Sequence, residues 1–156
     1  MAGVLQTRQR GRRLSDARAL IDTLGLASHP EGGWYHETWR ADAAEGQRAA
    51  ATAILFLLEE GQSSHWHKVD ATELWLFHAG SPLRLLTAPS EEGPVQSIRL
   101  GADVLAGEVP QARIAPGAWQ AAEADRGWAL VSCIVSPAFE FAGFTLAPPG
   151  WAPGAD

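Results

Sequence analysis

Apolar positions along this chain recur with two different periods. From Ser15 onward, Ala17, Leu20, Ile21 and Leu24 return at helical spacing, with Ser15 and Asp16 suited to the first turn and Gly25 to the last, which predicts a helix over about residues 16–24. The cluster Ser28-His29-Pro30-Glu31-Gly32-Gly33 reads as a turn. Downstream, the pattern breaks into short runs rich in Val, Ile, Trp and Phe, most of them separated by Gly, Pro, Asp or paired Glu. These predict strands at roughly 34–40, 51–58, 63–69, 72–78, 83–88, 95–100, 111–115, 118–122, 128–136 and 139–146. No amphipathic stretch of helical length interrupts them, and no repeat or linker divides them. Strands this short and this evenly punctuated imply one all-β antiparallel domain, a sandwich or barrel such as the jelly roll, behind a short N-terminal helix.

Composition narrows the class. With 156 residues, 46% hydrophobic and 19% charged, the chain suits one domain and is too apolar for disorder. Twelve basic against eighteen acidic side chains give a net charge of -6, so no general basic surface exists for nucleic acid. The run Ala53 to Leu58 falls far short of the roughly 20 residues of a membrane-spanning helix. Residues 1–14, with Arg8, Arg10, Arg12 and Arg13, read as a basic tail. No apolar stretch of about 7–15 residues follows that tail, so it does not read as a secretory signal and a cytoplasmic address is expected by default. The single Cys133 sits in an apolar run and reads as a buried structural thiol.

The stretch that carries chemistry is Gly61-Gln-Ser-Ser-His65-Trp-His67-Lys-Val-Asp-Ala-Thr-Glu73-Leu-Trp-Leu-Phe-His-Ala-Gly80. On a regular strand His65 and His67 point the same way, with Cα atoms roughly 6.6 Å apart, so both imidazoles can converge on one ion. Glu73 shares a strand face with Trp75 and Phe77. In a hairpin it would complete a facial set of two histidines and a carboxylate, with positions left open for water, substrate or dioxygen.

Gly61, the His-x-His pair, Glu73 and Gly80 in this spacing resemble the first motif of the cupin superfamily. Pro116-Gly117-Ala118-Trp119-Gln120 resembles its second motif, with Gln120 where that superfamily usually has a fourth, histidine ligand. More narrowly, the runs His29 to Arg40, Thr52 to Leu58, Ser64 to Gly80, Pro116 to Gln120 and Phe139 to Leu146 look like a small single-domain cupin subgroup of unassigned function. The resemblance covers about residues 15–147 and leaves 148–156 as a C-terminal tail. It implies a double-stranded β-helix, or jelly-roll barrel, commonly dimeric, with an internal pocket. It supplies no reaction, because the scaffold hosts many.

Other residues join the candidate site. Trp75 and Phe77 would form an apolar wall for a substrate. Parity on 34–40 separates Trp34, His36, Thr38 and Arg40 from Tyr35, Glu37 and Trp39 without saying which set enters the barrel. Glu37 and Arg40 are candidate substrate contacts, although an edge-strand ion pair would explain them equally. His29, in a turn, and His78, opposite Glu73 in parity, read as structural.

Three functions fit these residues. The first is a metalloenzyme with iron, nickel or manganese held by His65, His67 and Glu73, with Gln120 as a weak fourth ligand, performing oxidative, dioxygenase-type chemistry on a small molecule. The second is a metal-free sugar or nucleotide-sugar epimerase or isomerase. There a histidine would act as base and Tyr35, the only tyrosine, as acid, with Arg40, Arg84 and Arg113 available to meet a diphosphate. The third is a non-catalytic dimer that binds a small molecule.

Overall fold

The computed structural model describes residues 16–155, so the basic tail expected at 1–14 and the Ser15 cap lie outside the described residues. Helix α1 covers 16–24. It is followed in the chain by β1 (Ala27–Ser28), β2 (Trp34–Arg40) and β3 (Thr52–Leu58). Then come β4 (Ser63–Val69), β5 (Thr72–Gly80), β6 (Leu83–Ala88) and β7 (Gln96–Leu100). The series ends with β8 (Gln111–Ile114), β9 (Trp119–Glu123), β10 (Ala129–Ser136) and β11 (Phe144–Leu146). Two antiparallel sheets result, ordered β1-β2-β3-β10-β5-β8 and β11-β4-β9-β6-β7. This is a jelly-roll sandwich.

Strand alternation builds its layers. The inward residues Phe56 and Leu58 of β3, Trp75 of β5, Leu83 and Leu85 of β6, Ala122 of β9 and Val131 of β10 meet in one apolar core. Farther along the same strands the inward positions turn polar, at Thr52, Glu73, His67 and Gln120. The core therefore fills one end of the sandwich and leaves the other for a site. Outside the first sheet, Ala17 and Ile21 of α1 bury against Leu57 and Leu130. That helix stops at Gly25, whose φ of +64° allows Leu26 N–H to reach Ile21 O at 2.9 Å.

Two segments depart from the sequence reading. Only Phe144–Leu146 of the expected 139–146 strand is extended, behind a 3-10 turn at Phe141–Gly143. The cause is a set of side-chain partners that replaces the strand ladder. Thr52 Oγ1 accepts from Phe139 N–H at 3.0 Å, Arg40 donates to Phe139 O at 3.0 Å, and Arg48 donates to Ala138 O at 2.8 Å. The C-terminal segment, read as a tail, docks as far as it is described. Ala147 N–H bonds Trp66 O at 2.9 Å, Gly154 N–H bonds Glu91 O at 2.7 Å, and Trp151 lies 4.5 Å from Trp119. These contacts cover Trp66, Leu86 and Trp119 on the outer face of the second sheet.

Candidate functional site

At the polar end lies a cavity of about 420 Å³, lined among others by His29, Glu31, Tyr35, His67, Glu73 and Cys133. Its floor is assembled from three elements. The first is the turn before β2, where His29 N–H donates to Gly33 O at 2.9 Å and Gly32 N–H reaches His29 O at 3.0 Å. Gly32 sits at φ +104° with its α-carbon face against Ser63 O, a conformation and an approach that no side chain tolerates. The glycine pair thus turns the chain tightly enough to point Glu31 inward.

The second element is β4. Its pairing with β9 runs Ser64↔Ala122 and then His67↔Gln120, so one extra residue bulges between Ser64 and His67. The bulge frees His65 N–H from the ladder, and that group donates to Glu31 O at 2.7 Å. It also breaks the two-residue alternation. His67 faces the cavity, whereas the His65 ring leaves it and lies 2.9 Å from Pro148 O through Nε2. His67 Nδ1 lies 2.7 Å from His65 O, an acceptor only, so this nitrogen carries the proton. The free lone pair is then on Nε2, 3.2 Å from Glu31 Oε2.

The third element is β5 beside β9. Trp75 Nε1 donates to Gln120 Oε1 at 2.8 Å, and Gln120 Nε2 donates to Glu73 Oε2 at 2.6 Å. An indole N–H cannot accept, so Trp75 fixes which end of the Gln120 amide meets Glu73. All three residues are buried.

Burial sets the protonation of this floor. It pushes the Glu31 carboxyl up to about 8. It pushes Glu73 up to about 7, against the pull of His67 and with the Glu31 charge adding to the rise. Burial lowers His67, and together with nearby His67 it lowers His29 to about 4. Near pH 7 the Glu31–His67 contact is therefore a neutral carboxylic acid against a neutral imidazole, not an ion pair. Glu31 N–H donates to His29 Nδ1 at 3.1 Å, which leaves His29 its Nε2 proton. Cys133 is buried against Glu73, and burial pushes its thiol well up, so it remains a thiol and no nucleophile.

The mouth is built by β2 and the segment after β10. Pairing of β2 with β3 skips Thr38, so a second bulge puts Tyr35, Glu37 and Arg40 on one side, all lining the cavity. Arg40 Nη2 donates to Glu37 Oε1 at 2.8 Å, the ion pair that the sequence offers as the alternative to a substrate contact, while the face of this strand that parity leaves open is settled by the bulge. Phe139, Phe141 and Phe144 complete the rim.

Of the four residues expected to hold a metal, His67 and Glu73 face the cavity. His65 does not, and both ends of the Gln120 amide are engaged. Among the described residues no three His, Cys, Asp or Glu side chains converge as a metal-holding group. The four-residue set inferred from the motifs does not fit a metal centre in this arrangement. Trp75 and Phe77, expected as a substrate wall, belong to the apolar core beneath the floor. Glu31 and His29 were not singled out from the sequence as site residues. The signal available for them was an acid inside a Gly-Gly turn, which only a tight approach to another strand would explain.

Residues 18–147 match the family described as Cupin superfamily (DUF985). The chain belongs to that family. This cupin is 34% identical to a hypothetical protein from Leishmania major, covering 84% of this chain and 86% of that one at a TM-score of 0.74. It is 38% identical to a protein from Shewanella oneidensis, covering 83% and 82% at a TM-score of 0.76. Oxalate decarboxylase from Bacillus subtilis is similar over 76% of this cupin and 29% of that chain, at 13% identity and a TM-score of 0.59. That last likeness concerns the fold alone. No curated protein matches. No helix among the described residues is long and apolar enough to cross a membrane.

Proposed function

We propose that this cupin is an acid–base enzyme that removes a proton from, and returns one to, a carbon beside a carbonyl of a small molecule, the chemistry of an isomerase or epimerase. The observation that supports this reading is the Glu31–His67 contact at 3.2 Å inside the cavity, with the imidazole lone pair on the cavity side. A substrate entering between them puts its C–H against His67 Nε2, which takes the proton. The carbonyl oxygen receives the Glu31 proton, and the bond electrons of the C–H form the enol double bond. Reversal at the same or the neighbouring carbon yields the isomer and restores both groups. Glu73, held by Gln120, is a second carboxyl within the same floor. Nucleotide sugars suit the cavity poorly, because Arg40 is the single lysine or arginine among its described lining residues.

The test is deuterium incorporation from D2O, followed by NMR over a panel of enolisable aldehydes, ketones and ketoses. His67→Asn should abolish exchange, His65→Ala should retain it, and Tyr35→Phe should retain it because the acid is Glu31. Undiminished exchange in His67→Asn refutes the assignment. The competing reading is the metal-dependent one, with iron, nickel or manganese and oxidative turnover. Elemental analysis of protein purified without chelator would favour it if close to one metal per chain is found and is lost in His67→Ala. Absence of exchange with every compound would leave a binding protein. We also propose a homodimer, the state the family resemblance implies, which sedimentation velocity tests directly.

A further inference from the structure

The same cavity also has a charge pattern that bears on what it holds, and this inference rests on the acid–base reading of that site. Its described lining contains Glu31, Glu37, Glu73 and Glu140 against one arginine. The Arg40 guanidinium is already met by Glu37 at 2.8 and 3.4 Å and by Phe139 O at 3.0 Å. Among the described residues no lysine or arginine forms an ion pair with Glu31, Glu73 or Glu140. Ser64 Oγ, fully buried and bordering the Glu31 carboxyl, has no aligned hydrogen-bond partner. Buried groups of this kind are costly unless something in the site answers them.

Aromatic rings stand next to these acids. Tyr35 lies 4.6 Å from His29, Phe144 lies 5.5 Å from His67, and Phe139 lies 5.8 Å from Phe144. Ile54, Val69 and Val135 supply aliphatic wall. Carboxyls without a lysine or arginine partner and aromatic rings lining one cavity together recognise a compact organic cation. Ammonium N–H groups donate to the carboxylates, and the positive charge is attracted by the rings.

We infer that the cavity takes a primary amine carried on a small apolar or aromatic body, with the ammonium between Glu31 and Glu73 and the body against Tyr35, Phe139 and Phe144. Under the proposed chemistry the substrate is an amine-bearing carbonyl compound.

Isothermal titration calorimetry of the wild-type chain at pH 7.5 with 2-phenylethylamine, 2-phenylethanol and 3-phenylpropionate tests this. The amine should bind at least about tenfold more tightly than the alcohol or the carboxylate, and Glu73→Gln, verified as folded by its melting curve, should weaken the amine at least about tenfold. Equal or tighter binding of the alcohol or the carboxylate overturns the inference, as does failure of the amine to bind, and neither result requires a variant. His67→Asn should keep the amine preference while losing deuterium exchange. If amines bind as expected and no carbonyl compound exchanges, the acid–base reading fails alone. If carbonyl compounds exchange and amines do not bind, the substrate class fails alone.

Discussion

Replacing Glu31 by Gln isolates the energetic cost of burying a carboxyl in this floor. The amide has nearly the same shape and can still donate to His67 Nε2, so the 3.2 Å contact survives the change. What disappears is the titration. The Glu31 carboxyl ionises at an ordinary 4.5 when unfolded and at about 8 when folded, so between those values the folded state holds a proton that the unfolded state has lost. Its stability contribution is complete below pH 4.5 and is lost as pH rises to about 8. At about 1.4 kcal/mol per pH unit, the wild type gives up about 5 kcal/mol that Glu31→Gln retains. Loss of the Glu31 charge also eases ionisation of Glu73, which works in the same direction. Thermal melts of chelator-treated protein at pH 5 and pH 9 read this out. The two proteins should melt within a few degrees of each other at pH 5, and the variant about 10 °C or more higher at pH 9. Equal separation at both pH values, or a wild type that gains on the variant as pH rises, would refute the assignment of a neutral buried acid.

Three further outcomes follow from contacts around the floor and rim. Gln120→Leu strands the Trp75 N–H and the Glu73 carboxyl in a dry interior and should cost about 2–4 kcal/mol in urea denaturation; a cost below about 0.5 kcal/mol would mean that the Trp75–Gln120–Glu73 chain is not formed. Arg48→Ala removes a half-exposed pair with Asp70 worth about 1 kcal/mol or less, so global stability should barely move. Amides of 138–143 should nevertheless exchange faster with deuterium, because Arg48 also holds Ala138 O; unchanged exchange there would remove Arg48 from the support of the rim. His29, kept neutral by burial, should offset part of the stability that the raised carboxyls bring as pH drops from about 6.5 to 4.5, and His29→Gln should steepen that gain; an unchanged slope in the variant would refute a buried neutral His29.

The strands and the helix were legible because each leaves a periodic trace: nine of the ten expected strands fall within a few residues of their observed limits. The site was legible only where that period holds. His67 and Glu73 were found from residue type and spacing, and both face the cavity. His65 was read from the same alternation and turned out to face Pro148, because one extra residue in β4 shifts everything before His67 to the other face. That bulge leaves no mark in residue type. It is set by a partner thirty-four residues upstream, the carbonyl of Glu31, which draws the His65 amide out of the ladder. The β2 bulge at Thr38 hid the shared face of Glu37 and Arg40 in the same way. At 139–143 the chain has strand-like composition but no free strand edge, since Arg40, Arg48 and Thr52 satisfy its backbone first.

The bulge in β4 means that the reactive set of this barrel is selected by residue count as well as residue identity. On a regular strand His65 and His67 would share the cavity face; with the bulge, Ser64 takes the inward place beside His67 and the His65 ring turns to Pro148. The same His-x-His spelling can therefore present one imidazole or two to the cavity, depending on whether the strand bulges, a difference that residue types alone do not reveal. Among relatives that share the His-x-His spelling, the informative comparison is whether the preceding glycine turn is present, so that a backbone carbonyl stands where Glu31 O meets the His65 amide.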